Sequence, residues 1–410
     1  MNPVAEQFPV FPNIYAAMSC IKRMLIDIHN DPLLRLPDWE LWMEAVFVDR
    51  SQFDLDDFIF TRITPNSDDL QFCRILNIYD GRPLLEDYKR YSLKPCLFNS
   101  RCLFRGQSKD YGSIKPNLFR QGSKAYFLDD MIRVNELTAF LAQHPLIQLL
   151  GIKGVNVAGK NIKLQANLYG LAEHYYQKAV LVDLTSSLDI ASFFATTFYD
   201  WDNDRYLPLE LDENSEGVLY VLPIYTALTY NLRFGFQISS IGKQFTLHRP
   251  GRQLGFFADV PLGKDLVNHP FLLKFRFKHN KALSRQIYNN FGQGLALAPP
   301  DFLHRYWKPA RENRDQPFKV SEKAIELNVF NNPGETRDSI VKKLKSYRLK
   351  NGQPMFELTG REWPDFPEEI VKEFREAMSN GWWEDEFCSD IYGMPSARFR
   401  SAFLSLRSII

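Results

Sequence analysis

The sequence predicts an α+β protein, a mixed strand-and-helix core with mainly helical flanks, and three observations predict it. Short apolar runs bounded by Gly, Pro and polar clusters read as strands of a buried sheet: Cys102-Leu103-Phe104, Ala179 to Val182, Gly217 to Leu222 and Phe271 to Phe277. Between them, apolar residues recur at helical spacing, as Leu168, Leu171, Ala172 and Tyr175 do within 167–177, and Ile190, Phe194 and Phe198 within 188–199. Outside this alternation the helical texture dominates.

Taken in order, residues 1–82 form a helical region in which Ala16, Met18, Ile21, Met24, Leu25 and Ile28 make an amphipathic face that the Asn30-Asp31-Pro32 break ends. Residues 83–309 hold the strands and the helices between them. The Trp307-Lys308-Pro309 break and the charged run Arg311, Glu312, Arg314, Asp315 open a mainly helical region, 310–410, with helices expected over 339–349 and 367–380. A chain of 410 residues, 45% hydrophobic, exceeds what one compact core usually holds, which agrees with this division.

Composition narrows the function. Fifty basic against 49 acidic side chains leave a formal charge of +1, without the global positive excess of a protein that coats nucleic acid. The five cysteines (Cys20, Cys73, Cys96, Cys102, Cys388) are scattered and form no CxxC pair, which argues against a disulfide framework and a structural zinc site and fits a reducing cytoplasm. The amino terminus lacks a basic start followed by an apolar core, and no stretch approaches the ~20 apolar residues that span a bilayer, so no membrane partner is expected. The 33 phenylalanines show no repeat period, and their default use is core packing.

Three segments could carry chemistry. Phe104-Arg105-Gly106-Gln107 places an arginine at a strand end, with a glycine behind it that allows close backbone approach, an arrangement suited to gripping phosphate or carboxylate. The plain alternative is a surface arginine paired with a carboxylate. In Val182-Asp183-Leu184-Thr185-Ser186-Ser187, a buried strand runs into hydroxyls just before a helix, so Ser186 or Ser187 is a natural N-cap. The extra hydroxyls would sit at the positive helix end, where phosphate or ribose oxygens are favoured. The third, Arg249-Pro250-Gly251-Arg252-Gln253-Leu254-Gly255, reads as a polar turn entering an apolar run, or plainly as a hairpin with a glycine at a bulge.

Together and in this order the segments resemble the FRG domain, named for the run found here as Phe104-Arg105-Gly106. The resemblance continues through Glu173-His174-Tyr175, similar to that family's Gln-His-Tyr, and through Val180 to Thr185, where Leu184 stands in place of a common Trp. It covers roughly residues 85 to 308. That pattern in turn is similar to the Arg-Ser-Glu class of mono-ADP-ribosyltransferases. The resemblance implies an ADP-ribosyltransferase-like split β-sheet core and NAD as substrate. It implies that Arg105, with Gly106 and Gln107, binds the phosphates, that Thr185, Ser186 and Ser187 order the ribose pocket, and that Phe194 is the aromatic of the following helix. Gln253-Leu254-Gly255 falls where Gln-x-Glu is expected, and Gly255 takes the place of the glutamate.

A carboxylate against the ribose 2′-hydroxyl stabilises the oxocarbenium character that builds as the nicotinamide bond breaks, and Gly255 cannot supply one. Gln253, His174, Asp183 or Glu173 substitutes from elsewhere in the pocket, or the domain binds a nucleotide without transferring it. His174 is alternatively a satisfied structural histidine, and Asp183 either orients it or accepts hydrogen bonds. The leading expectation is ADP-ribosyl transfer to a macromolecular or nucleotide acceptor, with a toxin or antiviral defence role as its biological extension. The rivals are an NAD glycohydrolase and a non-catalytic module that senses a nucleotide and contacts a regulatory protein partner.

Other signals are weaker. Gly154 to Asn161 approximates a P-loop, but Asn161 stands where Ser or Thr should meet magnesium, so a hairpin or insertion loop is preferred. The histidines show no metal spacing and no metal is predicted; there is no GxSxG elbow and no cysteine nucleophile signature. Trp382-Trp383, followed by Glu384-Asp385-Glu386, reads as terminal packing or a partner-binding patch.

Overall fold

The computed structural model describes residues 8–30, 76–78, 91–93, 102–120, 127–148, 155–157, 160–162, 164–165, 168–176, 180–200, 203–223, 237–240, 248–260, 263–299, 303–304, 306–307 and 316–379. At its centre is a six-stranded antiparallel sheet. Its strands are β1 (Cys102–Gln107), β2 (Val182–Thr185), β3 (Glu216–Pro223), β4 (Gln237–Ser240), β5 (Gly255–Asp259) and β6 (Leu273–Lys278). They run in the order β4-β5-β2-β1-β3-β6. The expected α+β class with mixed strands and helices is therefore observed. Within the sheet β3 pairs with β1 over six residue pairs, Val218 with Gln107 through Pro223 with Cys102. β1 meets β2 at a single pair, Phe104 with Thr185, so the sheet is pinched between two three-stranded halves.

The helices are α1 (Ile14–Asn30), α2 (Phe127–Ala142), α3 (Pro145–Gln148), α4 (Leu168–Tyr176), α5 (Leu188–Thr196), α6 (His248–Arg252), α7 (Lys281–Asn290), α8 (Glu322–Asn331), α9 (Arg337–Ser346) and α10 (Glu368–Ser379). Two apolar clusters flank the sheet. One gathers Ile14, Ala17 and Ile21 of α1, Ala191 and Phe193 of α5, and Ile287 of α7 against Phe104, Leu219, Val221, Phe275 and Phe277. Alternation along β1 therefore buries Cys102 and Phe104 in this cluster and turns Arg105 away from it. The segment ahead of α1 covers the outer edge of the sheet, where Phe11 N–H donates to Arg276 O at 2.9 Å and Lys278 N–H donates to Phe11 O at 3.0 Å.

The second cluster packs α2 and α4 against Phe257 of β5 and continues into residues beyond 316. These include Phe318 and Val320 of β7 (Phe318–Val320), Phe356 of β8 (Phe356–Leu358), Ile325 of α8 and Ile370 of α10. β7 and β8 pair in parallel. Leu168, Leu171, Ala172 and Tyr175 are all buried here, as their spacing predicts. The break near 309 lies outside the described residues, and apolar packing is shared across it.

Several boundaries differ from expectation. The run at 179–182 begins its strand at Val182, and the helix expected over 188–199 ends at Thr196, after which Thr197–Asp200 pairs with Arg205–Pro208 as a hairpin. Phe198 is consequently 46% exposed instead of facing the core. Three β-branched or aromatic residues in succession, Thr197, Phe198 and Tyr199, favour extension once the helix has no further apolar face to bury. Arg249 to Arg252, read as a turn or hairpin, belong to the short helix α6; Pro250 sits in its first turn, where a missing N–H costs nothing. The P-loop approximation at 154–161 is a hairpin, with Val155–Val157 antiparallel to Lys160–Ile162. Trp382 and Trp383 lie outside the described residues. Among the described residues, no helix is long and apolar enough to cross a membrane, and no group of three or more His, Cys, Asp or Glu comes together as metal ligands would.

Candidate functional site

The pinch between β1 and β2 opens into a cleft of about 300 Å³. Because β2 also pairs with β5, Gly255 against Thr185, the three motif-bearing strands lie side by side at its floor. Helix α4 packs over Phe257 of β5 and adds Glu173 and His174 to the lining. Residues separated by up to 150 positions in the chain thus converge through strand adjacency and the docking of α4.

Backbone and side chains tie the floor together. Arg105 Nη1 donates to Asp183 O at 2.7 Å, closing the gap beyond the single β1–β2 pair. Thr185 Oγ1 donates to Gln253 O at 2.8 Å, and Gln253 Nε2 donates to Leu297 O at 3.1 Å. Ser186 N–H donates to Leu254 O at 3.1 Å. Leu254 itself has φ +45°, a left-handed conformation costly for a branched side chain, and this fixes the turn that presents Gln253.

Two glycines explain themselves by contact. A Cβ on Gly106 would lie 1.8 Å from Ala191 O, so the glycine of the Phe-Arg-Gly run admits the backbone of α5 against β1. A Cβ on Gly255 would lie 3.2 Å from His174 Nε2. The imidazole therefore occupies the space beside the position where a glutamate was expected.

The electrostatics are unusual. Burial pushes the Glu173 carboxyl well above the usual carboxylate range, and repulsion from Asp183 and a hydrogen bond with it add to the rise, against the pull of Arg105 and Arg120. Glu173 therefore holds its proton beside the Asp183 carboxyl, and the two form a close carboxyl dyad. Burial lowers His174 to about 4, partly offset by Asp183 and by a hydrogen bond with Gln253, so the imidazole is neutral at physiological pH. Burial and the positive charge of Arg105 lower Arg120, which shows how closely the guanidiniums are gathered. With Arg105 and Arg249 lining the cleft and a proton held in the dyad, positive charge exceeds negative at its floor, an arrangement that favours an anion.

The buried Arg105 Nε and His174 Nε2 have no hydrogen-bond partner among the described residues. Among the described residues, Glu173 Oε2 and Asp183 Oδ1 likewise have none. Such groups are costly to bury unmatched, and their concentration around one cleft points to a polar ligand.

One wall comes from the hairpin after α5. Tyr199 and Tyr206 line the cleft with their rings 4.8 Å apart, nearly perpendicular. Tyr199 donates to Asp204, which also holds His304, and Tyr199 contacts Arg249 as well. Burial pushes the Tyr199 phenol up to about 12, and Asp204 adds to the rise.

Of the residues singled out from sequence, Arg105, Gly106, His174, Asp183, Thr185, Phe194 and Gln253 line the cleft. Gln107 is buried at the far end of β1, and Ser186 and Ser187 are not among the lining residues. Ser187 is the N-cap of α5, its Oγ accepting from Ile190 N–H at 3.3 Å, so the capping use of that hydroxyl is the one observed. Asp183 turns its carboxyl to Glu173 instead of orienting His174 by a hydrogen bond. Tyr199, Tyr206 and a lining role for Arg249 escaped the sequence reading. The only local signal was the Asp200 to Asp204 turn between two tyrosine-bearing strands.

No family model matches the chain, and no match to it is found among curated proteins or solved structures.

Proposed function

We propose that this cleft binds NAD and that the protein transfers ADP-ribose to a macromolecular or nucleotide acceptor. One observation carries the reading: buried Arg105 and His174 atoms that have no partner among the described residues meet the Glu173–Asp183 carboxyl pair in one cleft with an excess of positive charge. The adjacency of the strands bearing Arg105, Thr185 and Gly255 supports it further, since the resemblance to ADP-ribosyltransferases needs those three segments around one ligand. FRG-domain membership, a split-sheet transferase fold, a cytoplasmic setting and a toxin or antiviral defence role belong to the same proposal.

In this mechanism Arg105 and Arg249 hold the diphosphate, and Tyr199 and Tyr206 offer ring faces to a base or to nicotinamide. The Glu173–Asp183 dyad takes the ribose hydroxyls and supplies the carboxylate that Gly255 lacks. The bond between ribose C1′ and the nicotinamide nitrogen breaks with its electron pair passing to the ring, so nicotinamide leaves neutral. The acceptor's nucleophile bonds to C1′ and releases its proton, to neutral His174 or to solvent. If water is the nucleophile, the same steps give a glycohydrolase.

A second reading, a nucleotide sensor without turnover, is favoured by His174 standing beside Gly255, where a strand-borne glutamate is absent. The experiment is incubation of the purified chain with labelled NAD and fractionated lysate, beside Arg105→Ala. Release of nicotinamide with transfer of label, reduced about 100-fold or more by Arg105→Ala, supports the transferase. Binding without nicotinamide release selects the sensor, and no NAD binding at all overturns both.

A further inference from the structure

A second cavity, of about 320 Å³, lies away from the cleft, where the C-terminal segment packs on α2. Rings of Phe140, Tyr306, Trp307 and Trp363 line it, with Tyr306 stacked on Phe140 at 5.1 Å and Trp307 edge-on to Phe140 at 5.4 Å. Glu136 also lines it and is only 5% exposed. Ser321 N–H and Oγ–H both donate to Glu136 Oε2 at 2.8 Å, which leaves Oε1 for the cavity. Trp307, also 5% exposed, has its buried Nε1 without a protein partner.

We propose that this cavity binds an organic cation of the guanidinium or alkylammonium type, presented on a peptide-like group. The charged head donates to Glu136 Oε1, and its carbon stem lies among the rings. A buried carboxyl beside aromatic faces is complementary to a cation with apolar flanks and repels an anion. Among the described residues, neither cationic side chain lining the cavity forms an ion pair with Glu136. Arg361 is paired with Asp365, and Lys319 is exposed at the middle of β7. Ring faces nearby already take cations, with Arg133 at 4.4 Å from the Phe318 centroid and Lys323 at 5.0 Å from that of Trp363. Burial pushes Glu136 up to about 7, so a bound cation would displace its proton.

The test titrates the full chain with Nα-acetyl-arginine methylamide and with its neutral isostere, the citrulline derivative, by calorimetry and tryptophan fluorescence. The arginine derivative is expected to bind saturably and at least about tenfold more tightly than the isostere, and Glu136→Gln is expected to abolish that preference. Gln can still accept both Ser321 bonds, so the variant should fold. Should it not, calorimetry at pH 7 in buffers of different ionisation enthalpy reads proton release from the wild type directly, about half a proton per cation bound. Ser321 bonds Glu136 and Tyr306 feels its charge; Lys319, Arg361 and Asp365 are the other titratable side chains lining the cavity, and Arg133 and Lys323 lie over its Phe318 and Trp363 rings. Equal affinity for the two probes, an unchanged preference in Glu136→Gln, absence of proton release, or no saturable binding overturns the proposal. NAD chemistry at the cleft serves as an independent control, because neither outcome here depends on it.

Discussion

Glu136 on α2 and Glu173 on α4 sit on helices that pack against one another, yet their surroundings differ in kind. Glu136 meets donors, the backbone and hydroxyl of Ser321 at the N-terminus of α8, and joins the C-terminal segment to the core. Glu173 meets another acid, Asp183, within reach of Arg105 and Arg120. Burial raises both carboxyls; Ser321 hydrogen-bonds the first without bringing a countercharge, whereas the second faces another acid. An acid facing an acid in a cleft is poor for stability and suited to proton chemistry, which is the use proposed for the second region.

The largest expected effect tests the packing that positions the cleft. Gly106→Ala drives a methyl into the Ala191 carbonyl and should cost about 3 kcal/mol in urea unfolding, since α5 must move off β1. A loss below about 0.5 kcal/mol would show that α5 does not sit where it closes the cleft.

Next comes the structural glutamate. Its folded pKa lies above the unfolded value, so the stability linked to its proton is fully present below about pH 4.5 and is lost as pH rises through about 7. Glu136→Gln should therefore match the wild type near pH 4.5 and exceed it by about 3 kcal/mol at pH 8. Denaturant midpoints across that range measure it, and a variant that is less stable at pH 8 would contradict an uncompensated buried charge.

The smallest effect sharpens the functional side. With its raised pKa, Glu173 holds its proton at neutral pH and loses it as pH rises, so NAD turnover should show an alkaline limb that Glu173→Gln removes. Turnover at neutral pH should fall by about tenfold, because Gln can donate to Asp183 but cannot exchange a proton. An alkaline limb that survives the substitution would assign it to another group and dissolve the contrast between the two glutamates.

The sequence alone determined the elements with local causes. The apolar run at Cys102 to Phe104 made a strand, Leu168, Leu171, Ala172 and Tyr175 made a buried helical face, and Ser187 made a cap, because periodicity and capping act over a few residues. It also placed Arg105, Asp183, His174 and Gln253 on one candidate list, and the cleft gathers all four. Tertiary structure alone decided which of those groups touch. The Glu173–Asp183 dyad, the Tyr199 and Tyr206 wall and the Glu136–Ser321 bond join residues from different elements, the last pair 185 positions apart. Strand order and helix docking set such meetings, and the protonation of each carboxyl follows from the depth and neighbours those meetings impose.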